Sequence, residues 1–396
     1  MKLTVSVCYQ AIGDGRAGEV WRFVSTSVRL YGNVICNQGE DLIMEQRIGH
    51  LLVGVCFMVA SAGVAFGSTI YVDKNFGPGG SGTQEAPYDT IQAAIVNFNS
   101  TEIIVYPGTY TENILIPKDL EIRGYDGPHT TTIDGSLPRV ERSDAVTLTE
   151  SIYVKLEGLK ISSGRYGVYI PRVTTLRMRN CVVCGNDSHG VYIDNNDKTV
   201  EPTVILYNNV IVANGGSGLF FWARTVIIGT DHRFAPYLTA RNNIVISNTL
   251  YGVETSDHQT GQPNAERIQM DFNNCVGNPL GPYDAAFKPT GTFDPGTHSM
   301  EEAPEFVGGV GQVCNKDFRL LLASPPTSPC QDKGDPGMGF LDPDGTQNNI
   351  GAYGGPGAQH FYTNPNDGPM VRSVTIDQGL VPQGETVTIR ATGAVR

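Results

Sequence analysis

The chain has 396 residues, a formal net charge of −12 and a sequence pI near 5.0. So acidic a protein excludes nucleic acid as its partner, and it repels a polyanionic substrate unless a metal ion or a local basic patch offsets the field. With 47 glycines, 24 prolines and 17% charged residues, the composition favours a turn-rich β protein over a helical one.

In chain order, the first feature is a leader at residues 44–67. Glu45 and Arg47 precede an uncharged, mostly apolar run from Leu51 to Gly67, which ends in Val64-Ala65-Phe66-Gly67-Ser68. Small residues sit three before and one before a cut after Gly67, the pattern of an export signal beginning at Met44. A membrane anchor is the alternative, although the run falls short of the ~20 residues that a span needs. Cleavage would leave no membrane span in the mature chain and a secreted or cell-surface protein. Residues 1–43 then read as an upstream extension outside the native fold. Cys56 lacks the small residues that a lipid-modified cysteine requires. Beyond residue 67 remain Cys181, Cys184, Cys275, Cys314 and Cys330, an odd set that leaves at least one thiol unpaired.

The stretch Thr69–Asp73 predicts a strand, and Gly77–Gly82 a loop. Asp89 or Thr90 caps a short helix through Asn97, with Ile91, Ala94 and Ile95 on one face. Short strands follow at Ile103–Tyr106, Asn113–Ile116, Leu120–Arg123 and Thr131–Asp134, each ended by Gly, Pro or Asp. The run Pro107-Gly-Thr-Tyr-Thr-Glu-Asn-Ile114 and the later Thr132-Ile-Asp-Gly135 resemble the opening coils of pectin-lyase-like β-helices. In that family an N-terminal helix closes the open end of the core, and the sequence offers one at the matching place.

Internal repetition is the strongest signal. Leu176–Val183, Leu206–Val212, Ala240–Ile246 and Met270–Val276 align on Asn180, Asn209, Asn243 and Asn274, spaced 29, 34 and 31 residues apart. Glycine-led apolar segments follow the first three at Gly190, Gly218 and Gly252, with an earlier copy at Gly167. The inward phase shifts at each Asn, as when a strand turns a corner through one left-handed residue, a conformation Asn tolerates. Stacked coils would bring the four amides into a ladder like those of known β-helices. The predicted fold is all-β, a right-handed parallel β-helix over 68–300 with a short N-terminal capping helix; a sandwich is the competing architecture. Cys181 and Cys275 fall in one inward column with Val210 and Ile244. Three coils at ~4.8 Å hold them too far apart for a disulfide. With Cys181, Cys184 and Cys275 assigned to the coils, Cys314 and Cys330, which bracket a Pro-rich loop, are the expected pair.

Residues 301–365 read as a C-terminal closing segment. Asp317-Phe-Arg-Leu320, Ser328-Pro-Cys330 and Asp344–Gly355 resemble the ending of many secreted bacterial β-helix proteins, sometimes called a choice-of-anchor segment. Within 366–396, Val371–Ile376 and Glu385–Ala391 resemble the opening strands of an immunoglobulin-like module, or form a tail.

In pectin-lyase-like proteins substrates lie along the outer face of one parallel sheet, and the glycine-led strands match that sheet. Alternation turns Val168, Val191, Leu219 and Val253 inward and stacks Tyr169, Tyr192, Phe220 and Glu254 outward, with Trp222 two positions on. Rings pack against apolar sugar faces, and the same rings could equally stiffen the sheet. The following loops carry Arg172, Asp194, Asp197, Asp231, Arg233, Asp257 and His258. Asp194 and Asp197 could hold Ca²⁺. Asp231, Asp257 and His258 are the catalytic candidates for a polysaccharide lyase, epimerase or glycoside hydrolase; Arg172 and Arg233 would offset the negative field. Polygalacturonase motifs are only half matched, at Ser188-His189-Gly190 and Arg267-Ile268-Gln269, without the paired Asp between them. The expectation is a monomeric β-helix protein that binds or processes a polysaccharide or cell-surface glycan. The alternative is a non-catalytic surface or adhesion protein that uses the coils as a rigid rod.

Overall fold

The computed structural model describes strands Leu3–Ile12 and Val20–Leu30, residues 68–361 with short gaps, and strands Met370–Ile376 and Ile389–Ala394. The gaps are 138–142, 151, 172–174, 196–201, 224–225, 229–230, 234–236, 256–267, 285–294, 310–312 and 323–325. The expected leader at 44–67 lies outside the described residues, apart from the unit boundary that separates Met1–Val64 from Ala65–Arg396. In the first unit, Leu3–Ile12 pairs antiparallel with Val20–Leu30.

The second unit is a parallel β-helix. Its coils are built from three parallel sheets of eight, seven and seven strands, termed here the first, second and third sheets in the order the chain visits them. A short helix, Ile91–Val96, lies at the N-terminal end. Thr90 accepts from Ala93 N, Glu112 takes the amides of Ile91 and Gln92 at 2.8 Å each, and Ile91, Ala94 and Ile95 are buried. The caps satisfy amides that a short helix cannot satisfy itself. Inside the coils, identical faces stack in columns. Leu156, Met178, Leu206, Ala240 and Met270 form one column of the first sheet, all buried.

Two corners decide the coil shape. Between the first and second sheets one residue per coil is left-handed: Gly158, Asn180, Asn208, Asn242 and Phe272, at φ 63°, 53°, 52°, 59° and 55°. The next residue carries the ladder. Asn209 N and Nδ2 donate to Asn243 Oδ1 at 3.0 and 2.9 Å; Asn243 N and Nδ2 donate to Asn273 Oδ1 at 3.1 and 2.9 Å. Cys181 N ends the row on Asn209 Oδ1 at 3.0 Å. The expected ladder is therefore right at Asn209 and Asn243 and one residue out at both ends. Asn180 is a corner residue equivalent to Asn208 and Asn242, and Asn274 pairs with Ile244 in the second sheet. The sequence alignment merged two adjacent Asn columns with different roles, one left-handed and one bonding along the axis. Cys181 is correspondingly not in the column of Val210; it stands beside Asn209, while Cys275 pairs with Val245. Both thiols are buried and free.

A second ladder, not anticipated from the sequence, runs along the corner between the second and third sheets. Asn186 Nδ2 donates to Asn214 Oδ1 at 2.8 Å, Asn214 Nδ2 to Asn248 Oδ1 at 2.9 Å, and Asn248 Nδ2 to Asn278 Oδ1 at 3.1 Å. The crowded corner explains the glycine-led segments. A Cβ at Gly167, Gly190, Gly218 or Gly252 would meet the core side chain of Val183, Ile211, Val245 or Cys275 and the next coil's carbonyl oxygen within 2.8 Å, and Nδ2 of Asn186, Asn214, Asn248 or Asn278 at 2.8–3.1 Å.

Residues 300–361 fold back along the outer face of the second sheet. There Val182, Cys184, Val210, Val212, Ile244 and Ile246 form a separate apolar cluster with Phe306, Phe318, Leu320, Cys330, Ile350 and Phe361. The disulfide joins Cys184 to Cys314, and Cys330 is a free buried thiol, against the expected Cys314–Cys330 pair. Val183 points inward, so alternation turns Cys184 outward, toward the returning segment. Cys330 instead sits at the last coil, with its sulfur 3.0 Å from Asn274 Nδ2. Closing the 130-residue separation contributes about 4–5 kcal/mol in a chain-entropy picture. Beyond this segment, Met370–Ile376 pairs antiparallel with Ile389–Ala394.

Asn243 sits mid-ladder, accepting two N–H groups from Asn209 and donating to Leu206 O at 2.8 Å. Asn243→Leu leaves buried amides without partners, so urea unfolding should show a loss of about 2–4 kcal/mol. A loss below about 0.5 kcal/mol would mean that the ladder does not hold the corner.

Candidate functional site

The third sheet carries the predicted outward column. Tyr169, Tyr192, Phe220 and Glu254 are register partners on successive strands, and Asp194 is the partner of Trp222. Val168, Val191, Leu219 and Val253 are buried beneath them. The face thus brings together Tyr169, Tyr192, Asp194, Phe220, Trp222 and Glu254.

A second column, missed from the sequence, stands one corner position earlier. It consists of the residues that precede the glycines: Tyr166, His189, Ser217 and Tyr251, aligned by bonds such as Gly167 N to His189 O at 3.2 Å and Gly190 N to Ser217 O at 3.0 Å. Its rings reach over the coil that follows. Tyr166 stacks on Tyr192 with centroids 4.4 Å apart at 18°, and His189 on Phe220 at 4.3 Å and 19°. Within the first column the spacings are longer, 5.4 Å for Tyr169–Tyr192 and 5.2 Å for Tyr192–Phe220. The recurring X-Gly dipeptide before each strand was the available signal.

This interleaving corrects one expectation. The rings use their faces on one another, and Phe220 is only 8% exposed, so it is a packing residue rather than an open platform. Trp222, tilted 43° from Phe220 at 6.4 Å, is 45% exposed.

Polar groups edge the stack. Arg165 Nε and Nη2 hold the Asp144 carboxylate at 3.0 and 3.2 Å, and Asp144 also accepts from Tyr166 N at 3.3 Å. The same guanidinium lies 4.5 Å over the Tyr166 ring and 5.7 Å from that of Tyr169, a cation–π arrangement. Neither Asp144 nor Arg165 was marked by any motif, because the coil brings them together from separate turns. Tyr169 Oη donates to Asp194 Oδ2 at 3.2 Å. Burial pushes the Tyr169 phenol up to about 12, with the Asp194 charge adding to it. Burial also raises Asp194, and the Tyr169 hydrogen bond partly restrains that rise. Ser217 Oγ is hydrogen-bonded to Glu254 Oε2.

His189 is held neutral. Its Nδ1 accepts from Ser217 N at 3.0 Å, which requires that nitrogen to be unprotonated and leaves the proton on Nε2. Burial among the rings lowers its pKa to about 4.

The other candidates fall wholly or in their side chains outside the described residues. Arg172, Asp197, Asp257 and His258 lie outside the described residues. Asp231 and Arg233 belong to a short strand, Asp231–Arg233, paired antiparallel with Val226–Ile228, and their side chains are likewise outside the description. Among the described residues no group of three His, Cys, Asp or Glu is placed to hold a metal ion.

The family model described as right handed beta helix region matches residues 109–231. No curated protein matches the chain. Among solved structures, the crystal structure of pectate lyase Pel9A is similar at 15% identity and a TM-score of 0.26, over 76% of this chain and 98% of that one. A likeness that distant says nothing of chemistry. The coils and the matched segment agree on a right-handed parallel β-helix.

The His189 imidazole makes stability fall with acid. Its pKa is lowered from 6.5 in the unfolded chain to about 4 in the fold, so the unfolded state binds more protons between those values. Stability is then fully present above pH 6.5 and is lost as pH falls toward 4, by about 3 kcal/mol at most. Chemical unfolding at pH 7.0, 6.0 and 5.0 should show this slope, and His189→Phe should flatten it; an unchanged slope would assign the effect elsewhere.

Proposed function

We propose that the protein is an exported β-helix that holds an extended glycan along the third-sheet face. The carrying observation is Trp222, an open ring in register with the partly buried Asp194 carboxylate at the edge of the polar-tipped stack. An exposed indole can cover the apolar face of a pyranose while a carboxylate oxygen accepts from the sugar hydroxyls. The phenols and His189 Nε2–H add hydrogen-bonding edges along the same line. The Cys184–Cys314 disulfide supports an oxidising compartment, in keeping with the leader at 44–67. Catalysis is not part of this reading, since Asp231, Asp257 and His258 are the residues it would need.

One observation favours a second reading, a rigid non-catalytic rod: the interleaved rings from Tyr166 to Phe220 stiffen the face they cover.

The two readings separate in a titration of the protein with neutral and anionic glycans, with and without Ca²⁺, read by tryptophan fluorescence and calorimetry. The chain has two tryptophans, Trp21 and Trp222. Binding should change the emission, and Trp222→Ala should weaken affinity by about tenfold or more without lowering the melting temperature. Asp194→Asn should weaken it less. If no glycan binds at millimolar concentration, the rod reading stands instead.

A further inference from the structure

The segment that covers the second sheet has two limbs with different attachments. The first, described over residues 300–309 and 313–322, leaves the last coil, where Cys275 N donates to Met300 O at 3.0 Å, and its two parts lie antiparallel, with Phe306 bridged to Leu320. At its far end are Cys314, bonded to Cys184, and the Cys314 carbonyl, which accepts from Lys160 Nζ. Its base is hydrogen-bonded to the last coil, Met300 N to Asn273 O at 2.8 Å, Asn274 Nδ2 to Glu302 O at 2.6 Å and Glu302 N to Asn274 Oδ1 at 3.2 Å, and to the second limb through Glu305 N and Ser328 Oγ at 3.2 Å. Between that base and Cys314, Phe306, Phe318 and Leu320 belong to the apolar cluster on the second sheet.

The second limb, residues 326–361, descends the Asn corner one coil at a time. Asn274 Nδ2 meets Cys330, and Asn242 Oδ1 accepts from Asp335 N at 2.8 Å. Asn208 Nδ2 donates to Asn348 Oδ1 and Asn349 O at 2.8 and 2.9 Å. Asn180 Nδ2 donates to Ala352 O and Gly354 O at 3.0 and 2.8 Å. These are buried bonds spread over successive coils, with no covalent tie.

We propose that the first limb is a redox-released strap: reduction of Cys184–Cys314 lifts it from the second sheet while the coils stay folded. Cys314 is half-buried and Cys184 is fully buried, so attack from solvent falls on Cys314. A thiolate of a small dithiol attacks Cys314 Sγ; the S–S bond breaks, and Cys184 leaves as a thiolate and takes up a proton. The reagent's second thiol then displaces Cys314, so that the protein gains two thiols and the dithiol becomes a cyclic disulfide. Lifting the limb removes Phe306, Phe318 and Leu320 from the cluster that buries Cys330.

The protein carries its own probes. Cys330 belongs to the apolar cluster that Phe306, Phe318 and Leu320 of the strap complete, whereas Cys181 and Cys275 belong to the core of the coils, and all three are buried thiols. The full chain is treated with dithiothreitol, then with a maleimide, and labelling is mapped by peptide mass spectrometry. Without reductant, Cys184 and Cys314 should appear as one cross-linked peptide pair and Cys330 should stay unlabelled. With reductant, Cys330 should label faster by about tenfold or more, while Cys181 and Cys275 remain protected. The double variant Cys184→Ser, Cys314→Ser should label at Cys330 with no reductant. Labelling of Cys184 and Cys314 with Cys330 still protected would overturn the proposal, because the limb would be staying down. Joint labelling of Cys181, Cys275 and Cys330 would also overturn it, because the coils would be opening with the limb.

Discussion

The structure depends on buried amide-to-amide bonding along the coil axis. Strand ladders satisfy the backbone within each sheet, but the two tight corners that flank the second sheet leave N–H groups without sheet partners. Each ladder Asn accepts, through Oδ1, from the backbone and side-chain N–H groups of the preceding coil, and its own Nδ2 donates to Oδ1 of the following coil, so each rung closes on the next. The glycines ahead of the third sheet belong to the same crowded corner. A core side chain of the second sheet, the next coil's carbonyl and the ladder amide together occupy the space that a Cβ would need at Gly167, Gly190, Gly218 and Gly252. The three-residue strands of the second sheet follow too, since they are what remains between the two corners.

A stack in which each coil touches only its neighbours frays from its ends. The returning segment counters this by binding several coils at once. The left-handed corner turns Asn180, Asn208 and Asn242 away from the ladder and toward residues 335–354. Adjacent Asn columns thus bond in two directions, one along the axis and one outward. The last coil departs from the pattern: Phe272 takes the left-handed position, stacked on His298 at 4.4 Å and 2°. A left-handed aromatic residue is costly and persists only where its surroundings fix it.

On the third sheet the same coil spacing sets what the surface can offer. Rings one coil apart stand close enough to stack, and the second column fills the remaining gaps, so the face presents ring edges, hydroxyls and carboxylates. The open indole of Trp222 stands where this order ends. Asp144 is matched by Arg165, and Asp194 and Glu254 keep the rim acidic, in line with the net charge of −12.

The sequence by itself determined the fold class, the capping helix at Ile91–Val96 and the inward and outward columns of the third sheet, because alternation and coil repeat are local properties of the chain. It also placed Asn209 and Asn243 in a ladder. It could not resolve the register at Asn180 and Asn274, where neighbouring Asn residues make a one-residue slip invisible to alignment. Only the tertiary structure decided the partner of Cys314, since the returning limb carries it back to a strand far earlier in the chain. The same holds for Phe220: alternation says that a ring points outward, but whether water reaches it depends on His189 and Tyr192 from the coil before, packing that no local pattern records.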